Sequence, residues 1–522
     1  MYGDAVREAR VLLGEAWDKI CGKRLRPLVP VLIEVMERHG HVQLAAEVRT
    51  GLLAMSAAMV NRSVRQVRGE GGRRYTTPVA PSAAARLAAL LALAWPAQAG
   101  AQPGPQGPAG GGALLGDAGG VRQALGKHGI SLGLQNTSEV FGNLNGGRAR
   151  GAQLDGQNAL GLGVDLEKAA GLKGGLINLS ALQNYGHGLS AGNVDNLNLI
   201  SSIEARRSAW LFELWYQQSF MGGAVDVRLG QLAADQEFII TQYGNWFVNA
   251  AFGWPTLPSV DLPAGGPAAP LATPGVRLRA KPLETLTLLF GAFNGDPAGP
   301  GLGNPQRRDA SGSLFRLGDG LFAIAEAQYA INGGKGAKGP PVTLKLGGWY
   351  HEAASPNQFF ATEGLTAVPQ VAAGSAVARE SWSAYAVADA MLLPGPGGKG
   401  GLAAFARVAT SPQGRSAVSL ELAGGLVYVG PFGRDGDQAG LAVTSVRAGQ
   451  ALGSGAAASR FMPHGYETVV ELSYQAQALP WLQVQPDAQY VVTPGGEIPN
   501  PSQPGRKVGS AAVLGLRTVA AF

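Results

Sequence analysis

Apolar and polar side chains alternate along two neighbouring stretches near the end of the chain, from Val469 to Ala478 and from Leu482 to Val492. Leucine, valine, tyrosine and alanine occupy one set of alternate positions, and glutamine, glutamate, aspartate and serine occupy the other. Successive side chains of a β-strand point to opposite faces, so each stretch is predicted to be a strand with one apolar and one polar face. The intervening Leu479-Pro480-Trp481 predicts a short turn between them.

The same alternation ends the chain, from Ser510 to Phe522. Counting back from Phe522 in steps of two gives a mostly apolar face that includes Leu516 and Leu514, whereas Arg517 lies on the other face among small residues. This pattern is typical of a strand with lipid on one side and a wet lumen on the other. An open strand edge would leave amides unpaired, so the strand is predicted to close a barrel, with Phe522, Leu516 and Leu514 as the barrel-closing signal. The last strand of a soluble β-domain is an alternative that these residues alone leave open.

Strands of about ten residues separated by turn residues continue upstream as far as His128. The predicted fold is all-β, a transmembrane antiparallel β-barrel of about 16 strands, preceded by a short helical N-terminal extension and a signal peptide. Aromatic residues at strand ends are candidates for girdles at the membrane interfaces, namely Trp246, Phe247, Phe252, Trp254, Trp349, Tyr350 and Phe432. Long connections rich in Gly and Pro, as one rim of such a barrel needs, are expected at Leu257 to Pro274, Asn294 to Gly312, Asn332 to Pro341, Pro394 to Gly401 and Thr493 to Arg506.

Four segments divide the chain. Residues 1–72 are predicted to be a helical extension, and residues 73–99 combine arginines, a short apolar run and Ala97-Gln98-Ala99, the pattern of a secretory signal peptide. Residues 100–126 are a Gly/Pro-rich lead-in with a short helix, and residues 127–522 form the barrel. Because the signal peptide lies inside the reading frame, we expect either a mis-called start or a fused fragment, with a generic basic helical extension as the alternative. The mature chain is expected to begin near Gly100 or Gln102.

Charge and cysteine content narrow the function classes. The formal net charge of +6 comes entirely from residues 1–99, since the remainder carries 28 basic and 28 acidic residues. The barrel segment therefore has no bulk charge for nucleic acid. The only cysteine, Cys21, lies in the extension, so disulfides and thiol catalysis are excluded for the barrel segment.

The polar strand faces supply the candidate site. Rows of amides, carboxylates and guanidinium groups suit a confined watery lumen and the hydroxyl groups of a neutral sugar. An ordinary wall position in the lumen is the alternative role for each residue. The pore-lining candidates are the residues at those alternate strand positions that are predicted to face inward, a criterion we call strand parity. They are Glu213, Trp215, Asp226, Arg228, Glu326, Lys345, Glu471, Gln475 and Gln489.

Signals for catalysis fail on inspection, so the chain is predicted not to be an enzyme, with no catalytic residue, metal or cofactor. The glycine-rich stretch that ends at Lys399 resembles a phosphate-binding loop, but neither Ser nor Thr follows the lysine. His351-Glu352 begins a zinc-protease motif, yet Ser355 occupies the position of the second histidine. Paired carboxylates of a glycosidase cannot be placed from the sequence.

Several motifs resemble those of the carbohydrate-selective porins of the OprB type, over about residues 115–522. That resemblance implies a 16-stranded outer-membrane barrel that passes monosaccharides, glucose among them, through a constriction of charged and aromatic side chains. Ala118 replaces the tryptophan usual in the opening motif. The matching stretches are Gly116 to Arg122 with Leu125 and Gly129-Ile130, Leu211 to Gln218, Val227 to Gln231 with Phe238, Phe247-Val248-Asn249 with Phe252 to Pro255, Phe405-Ala406-Arg407 with Ser411-Pro412, Gln485 to Val491, and Gly515-Leu516-Arg517.

We therefore expect a porin in the bacterial outer membrane, exported through the general secretory pathway, for passive, sugar-preferring diffusion. Its expected partners are monosaccharide solutes, outer-membrane lipid, the barrel-assembly machinery and, with the oligomeric state left open, two further copies in a homotrimer; no nucleic acid is expected. A general non-selective pore and a secreted β-rich carbohydrate-binding or hydrolysing protein are the alternatives. Residues 1–70 separately resemble a fragment of an insertion-element transposase, through Cys21 to Pro27, Glu37 to His41 and Leu52 to Ser56.

Overall fold

The computed structural model describes the chain from residue 112 to its end with a few gaps. Residues 302, 333–338, 355–378, 396–399, 414–415, 450–464, 501–502 and 504 are not described, nor are the side chains of residues 353, 354 and 379. The helical extension and the signal peptide predicted from the sequence lie outside the described residues.

Sixteen strands form one closed barrel in which every strand pairs antiparallel with its neighbours in sequence, and the first pairs with the last. The predicted fold class is confirmed. The strands are β1 (Ile130–Gly147), β2 (Gly151–Asp165), β3 (Gly175–Gly186), β4 (Ser208–Phe220), β5 (Val225–Leu232), β6 (Thr273–Leu283), β7 (Leu286–Asn294), β8 (Leu321–Ile331), β9 (Val342–Ala354), β10 (Arg379–Pro394), β11 (Gly401–Thr410), β12 (Val418–Val429), β13 (Gln438–Ala448), β14 (Tyr466–Leu479), β15 (Leu482–Val492) and β16 (Gly509–Ala521).

Four short α-helices accompany these strands in the described residues, α1 (Val121–Lys127), α2 (Leu166–Ala170), α3 (Thr256–Asp261) and α4 (Pro305–Arg308). Helix α1 lies before the barrel, and its Arg122 donates from Nη2 to the carbonyl oxygen of Phe522 at 2.5 Å. Among the described residues, no helix has the length and apolar character needed to cross a membrane.

The seam between β1 and β16 closes the barrel as the terminal pattern predicted. Glu139 and Arg517 face each other across it and form an ion pair on the inner side. Gly515 lies opposite Phe141, where a Cβ atom would come within 2.1 Å of the Phe141 ring, so only glycine fits without displacing the ring. The strand ends one residue earlier than predicted, and Phe522 follows it with its N–H donating to the carbonyl oxygen of Leu134 at 2.9 Å.

The outer surface carries the apolar half of each alternating strand. Leu514 is 52% exposed and Leu516 44% exposed, while Val513 and Arg517 between them are buried on the inner side. Outward aromatics form two belts. Tyr350, Trp382, Tyr466 and Tyr490 lie toward the rim of long connections, and Phe220, Tyr329 and Tyr428 lie toward the rim of short turns.

The predicted girdle was wrong for most of its members. Only Tyr350 and Phe432 have exposed side chains, at 41% and 89%. Trp349 is buried on the inner face, and the other four predicted aromatics belong to a connection that packs against the barrel wall from inside. Those four are Trp246, Phe247, Phe252 and Trp254. Phe212 also points inward beside Glu213, because it is the extra residue of a β-bulge in β4: Ser180 of β3 pairs with Glu213, and the next residue, Ala181, pairs with Leu211.

Connection lengths differ between the rims. One rim has the long connections 187–207, 233–272, 295–320 and 493–508, and the other has short ones such as 284–285 and 480–481. The predicted long connections at Asn332 to Pro341 and Pro394 to Gly401 join β8 to β9 and β10 to β11, so they belong to the rim of short turns instead. Their Gly and Pro content predicted a turn but did not indicate at which rim of the barrel the turn lies.

Candidate functional site

Two long connections fold into the lumen and pack against the wall. We call residues 187–207, between β3 and β4, loop A, and residues 233–272, between β5 and β6, loop B. Leu257, Phe238 and Phe252 of loop B are buried, and they pack in clusters that combine loop side chains with inward side chains of the wall. Loop A contributes Val194 and Ile200 to a third cluster with wall valines. Loops A and B, packed against the wall in this way, narrow the lumen.

Carboxylates of the wall accept hydrogen bonds from backbone N–H groups of loop B. An irregular loop buried in this way has few backbone partners of its own, and each buried N–H without an acceptor costs about 1–3 kcal/mol. Five inward carboxylates from β4 to β14 provide these acceptors. The bonds are Ala233 N to Glu213 at 3.1 Å, Ile239 N to Glu326 at 2.8 Å, Tyr243 N to Asp389 at 3.2 Å, Leu257 N to Glu421 at 2.8 Å, and Val248 N and Asn249 N to Glu471 at 2.7 and 2.9 Å.

Loop A is held in the same manner. Both oxygens of Glu467 on β14 accept backbone N–H groups, from Leu197 and Asn198, each at 2.7 Å. Arg517 on β16 donates from Nη2 to the hydroxyls of Ser201 and Ser202, each at 3.2 Å. Wall and loop are therefore complementary in hydrogen bonding as well as in packing.

Loop carbonyl groups are bound by wall cations. Arg407 on β11 donates from Nη1 to the carbonyl oxygen of Gly253 at 3.0 Å and from Nη2 to that of Ala251. Lys345 on β9 donates from Nζ to the carbonyl oxygen of Ile240 at 2.6 Å. Because Arg407 also lies 3.4 Å from Glu421, neither buried charge is left uncompensated.

A separate ionic cluster occupies the wall where loop B begins. Asp226 on β5 pairs with Arg277 on β6 and lies 2.6 Å from Arg279. Glu237, from the start of loop B, pairs with Arg228 and accepts from Arg277 Nη2 at 3.0 Å. We call these five residues the arginine cluster. It places three guanidinium groups and two carboxylates together with a net charge of +1.

Two members of the arginine cluster face open space. The side chain of Arg279 is 27% exposed and that of Glu237 is 17% exposed, whereas Asp226, Arg228 and Arg277 are at most 5% exposed. The guanidinium carbon of Arg228 lies 3.8 Å from the centroid of the Trp215 ring, a cation–π contact. One face of the indole is therefore already covered. The groups accessible to a solute are therefore one hydrogen-bond donor, the guanidinium group of Arg279, and one acceptor, the carboxylate of Glu237.

Comparison with known proteins agrees with this geometry. A family model described as "Carbohydrate-selective porin, OprB family" matches residues 149–522. The chain belongs to this family. The family members are porins of the bacterial outer membrane, and they are channels rather than enzymes, so the resemblance inferred from the sequence motifs is confirmed.

Two relatives match most of this porin, one in sequence and one in structure. Porin B of Pseudomonas aeruginosa is 23% identical over 435 residues, which are 76% of this chain and 90% of Porin B. The high-pH structure of OprB from Pseudomonas putida has 23% sequence identity and a TM-score of 0.63, and the match covers 79% of this chain and 99% of that chain.

A different relative matches a short stretch of the chain. The uncharacterized protein y4rM of Sinorhizobium fredii is 48% identical over 75 residues, which are 14% of this chain and 21% of y4rM. The chain thus spans about a fifth of that relative's length. The transposase resemblance of residues 1–70 stays a prediction.

The nine pore-lining candidates divide into groups in the porin structure. Trp215, Asp226 and Arg228 come together in or beside the arginine cluster. Glu213, Glu326, Lys345, Glu471 and Gln489 contact loops A and B, since Gln489 accepts from Asn249 Nδ2 at 3.0 Å and donates to the carbonyl oxygen of Ile200 at 2.9 Å. Gln475 donates to Gln485 at 3.3 Å. That these residues contact a passing solute stays a prediction.

Sequence reasoning missed several residues of the site. Arg277 and Arg279 alternate with Val276 and Leu278, so strand parity alone could have found them. Strand parity could have identified Glu421 and Glu467 as inward-facing in the same way. Glu237 carries no such signal, because it lies in a loop where no period relates one residue to the next.

We expect Glu471→Ala to loosen loop B. The substitution removes the acceptor of two buried N–H groups and lowers the free energy that anchors the loop by about 3 kcal/mol. Liposome swelling should then show faster entry of a disaccharide, several-fold above the native rate. Glu471→Gln retains one acceptor oxygen and should give a smaller increase. As a control, Glu284→Ala in the exposed turn between β6 and β7 should leave the rate unchanged; a similar rate for Glu471→Ala would contradict the anchoring role.

The end of helix α3 predicts a dependence on pH. Burial raises the pKa of the Asp261 carboxyl to about 8, although its Oδ1 accepts from Ala417 N at 2.7 Å and Val418 N at 3.0 Å. A raised pKa in the folded state means that stability is fully present below the ordinary carboxyl pKa and is lost as the pH rises through about 8. Disaccharide entry should therefore increase between pH 7 and 9. Asp261→Asn cannot ionise and should give a flat profile; equal profiles for both proteins would rule out this carboxyl as the cause.

Proposed function

We propose that this outer-membrane porin passes monosaccharides, such as glucose, by passive diffusion, and that the arginine cluster is the polar surface that their hydroxyl groups meet. The observation that supports the proposal is the presence, in one cluster, of an accessible guanidinium group, Arg279, which pairs with Asp226, and an accessible carboxylate, Glu237, which pairs with Arg228 and Arg277. A sugar hydroxyl both donates and accepts a hydrogen bond. A site with one strong donor and one strong acceptor therefore suits a polyol without selecting a net charge.

The narrowing of the lumen by loops A and B supports a preference for small sugars. Both loops are packed in apolar clusters and hydrogen-bonded to the wall, so the space they take up is fixed. Passage also requires that binding be weak enough for release. The members of the arginine cluster already satisfy each other, so a sugar replaces existing contacts and gains little net binding free energy.

A general, non-selective diffusion pore is the competing function within the porin class. It would require only a wet lumen of sufficient width, with no preference between a sugar and another neutral solute of similar mass. The arginine cluster favours the sugar-preferring function, because fixed donors and acceptors discriminate among neutral solutes by hydrogen bonding.

Liposome swelling with glucose and with tetraethylene glycol tests the proposal. The two solutes are neutral and similar in mass, but only glucose carries a dense set of hydroxyl groups. We expect glucose to enter faster. Arg279→Gln should lower the ratio of the two rates by up to about tenfold, because one hydrogen bond to a charged group contributes about 1.5 kcal/mol.

Arg434→Gln is the matched control, since Arg434 lies 52% exposed in the short turn after β12 and away from the arginine cluster. The ratio of rates should stay at the native value in that variant. Equal rates for glucose and tetraethylene glycol in the native porin would leave a general pore as the function.

A further inference from the structure

The seam between β1 and β16 differs from every other strand pair in the barrel. All other neighbouring strands are consecutive in the chain and are joined by their own connection, whereas β1 and β16 are the first and last strands and share none. Their ladder also has two irregularities, one between Asn143 and Asn145 and one between Asn145 and Gly147. At the seam, two neighbouring strands can therefore separate while every covalent connection between neighbours stays in place.

The chain segment before β1 crosses this seam at the rim of short turns. We call residues 112–127 the strap. The Leu114 N–H of the strap donates to the carbonyl oxygen of Ala521 at 2.8 Å, and Arg122 donates from Nη2 to the carbonyl oxygen of Phe522 at 2.5 Å. The strap is covalently joined to β1 but binds the end of β16, so it links the two sides of the seam.

The start of the strap reaches one strand further. A Cβ atom built on Gly112 would lie 3.5 Å from the Cβ atom of Pro480, in the turn between β14 and β15. The N–H of Ala521 donates to the carbonyl oxygen of Trp481 in the same turn at 2.9 Å. The strap therefore lies beside both β15 and β16 at this rim.

Helix α1 carries the arginine of this contact. Arg122 is 5% exposed, and the other residues of the helix are half-buried or exposed. Asp117 holds the turn before the helix, because its Oδ1 accepts from Gln123 N and its carbonyl oxygen accepts from Gly120 N, each at 3.1 Å. A short helix with so little buried apolar area gains little by packing, so the hydrogen bond of Arg122 is its main attachment.

The contacts of the strap require a closed ring. Because the strap is attached to β1, it can reach Ala521 and Phe522 only when β16 lies beside β1. The N–H of Phe522 donates to the carbonyl oxygen of Leu134 on β1 at 2.9 Å, which places the acceptor of Arg122 only after the seam has formed. The strap is thus expected to bind last, after the strands have paired.

We propose that the strap stabilises the closed barrel against opening at the seam, and that the hydrogen bond from Arg122 to Phe522 is its main contact. An interaction that forms after the folding transition state slows unfolding and leaves the folding rate unchanged. The strap thereby gives the porin kinetic stability in the membrane. This proposal is independent of the sugar preference.

Folding and unfolding kinetics in detergent micelles test the proposal, with tryptophan fluorescence as the readout. Arg122→Gln should raise the unfolding rate by roughly tenfold, because a hydrogen bond from a charged group is lost. Its folding rate should equal that of the native porin. Lys127→Gln, at the exposed end of the same helix, is the matched control and should leave both rates unchanged. A native unfolding rate for Arg122→Gln, or a slower folding rate, would overturn the proposal.

A disulfide between the strap and the barrel is the second test. Gly112→Cys with Pro480→Cys places two Cβ atoms 3.5 Å apart, within the range of about 3.5–4.5 Å that a disulfide spans. The native chain has no cysteine after Cys21 to compete for pairing. Added to Arg122→Gln, the oxidised pair should slow unfolding to the native rate or below it, and reduction should restore fast unfolding. Equal unfolding rates before and after reduction would overturn the proposal.

Discussion

A buried backbone N–H group needs an acceptor, and this requirement explains how the interior of the porin is built. Loops A and B enter a closed barrel whose strands already pair with each other, so no strand edge remains to bind them. Glutamate and aspartate side chains on the inner wall replace the missing edge, and Arg407 and Lys345 bind the loop carbonyl groups. The polar face of the strands is thus largely a scaffold for the loops.

Because the charged side chains of the wall bind the loops, a charged side chain that faces the lumen is not by itself evidence of contact with a solute. Most of the wall carboxylates that a sequence would assign to solute contact are already occupied by loop amides, as Glu471 is by Val248 and Asn249. The arginine cluster is the part of the wall described here in which carboxylates meet guanidinium groups with members still accessible. The OprB family membership gives the class of solute, and this cluster gives the chemistry proposed to recognise it.

The period of two along the chain predicted most of the fold. Strands β14, β15 and β16 were located to within a few residues, and their inward and outward faces were assigned correctly, because alternation follows directly from strand geometry. Phe212 broke the rule where a bulge shifts the alternation. Glu237 was not predicted, since loops have no period, and parity showed that Glu471 faces inward without showing what it would bind. Aromatic content likewise did not distinguish Trp246 of loop B from a girdle residue.

The account can be tested most directly by hydrogen exchange in the folded porin, without any substitution. The amide hydrogens of Leu197, Val248 and Leu257 are bound to wall carboxylates, so they should exchange as slowly as amides in the middle of strand β14, by orders of magnitude more slowly than those in the short turn after β12. Exchange of these loop amides at the rate of that turn would mean that the wall carboxylates do not hold the loops.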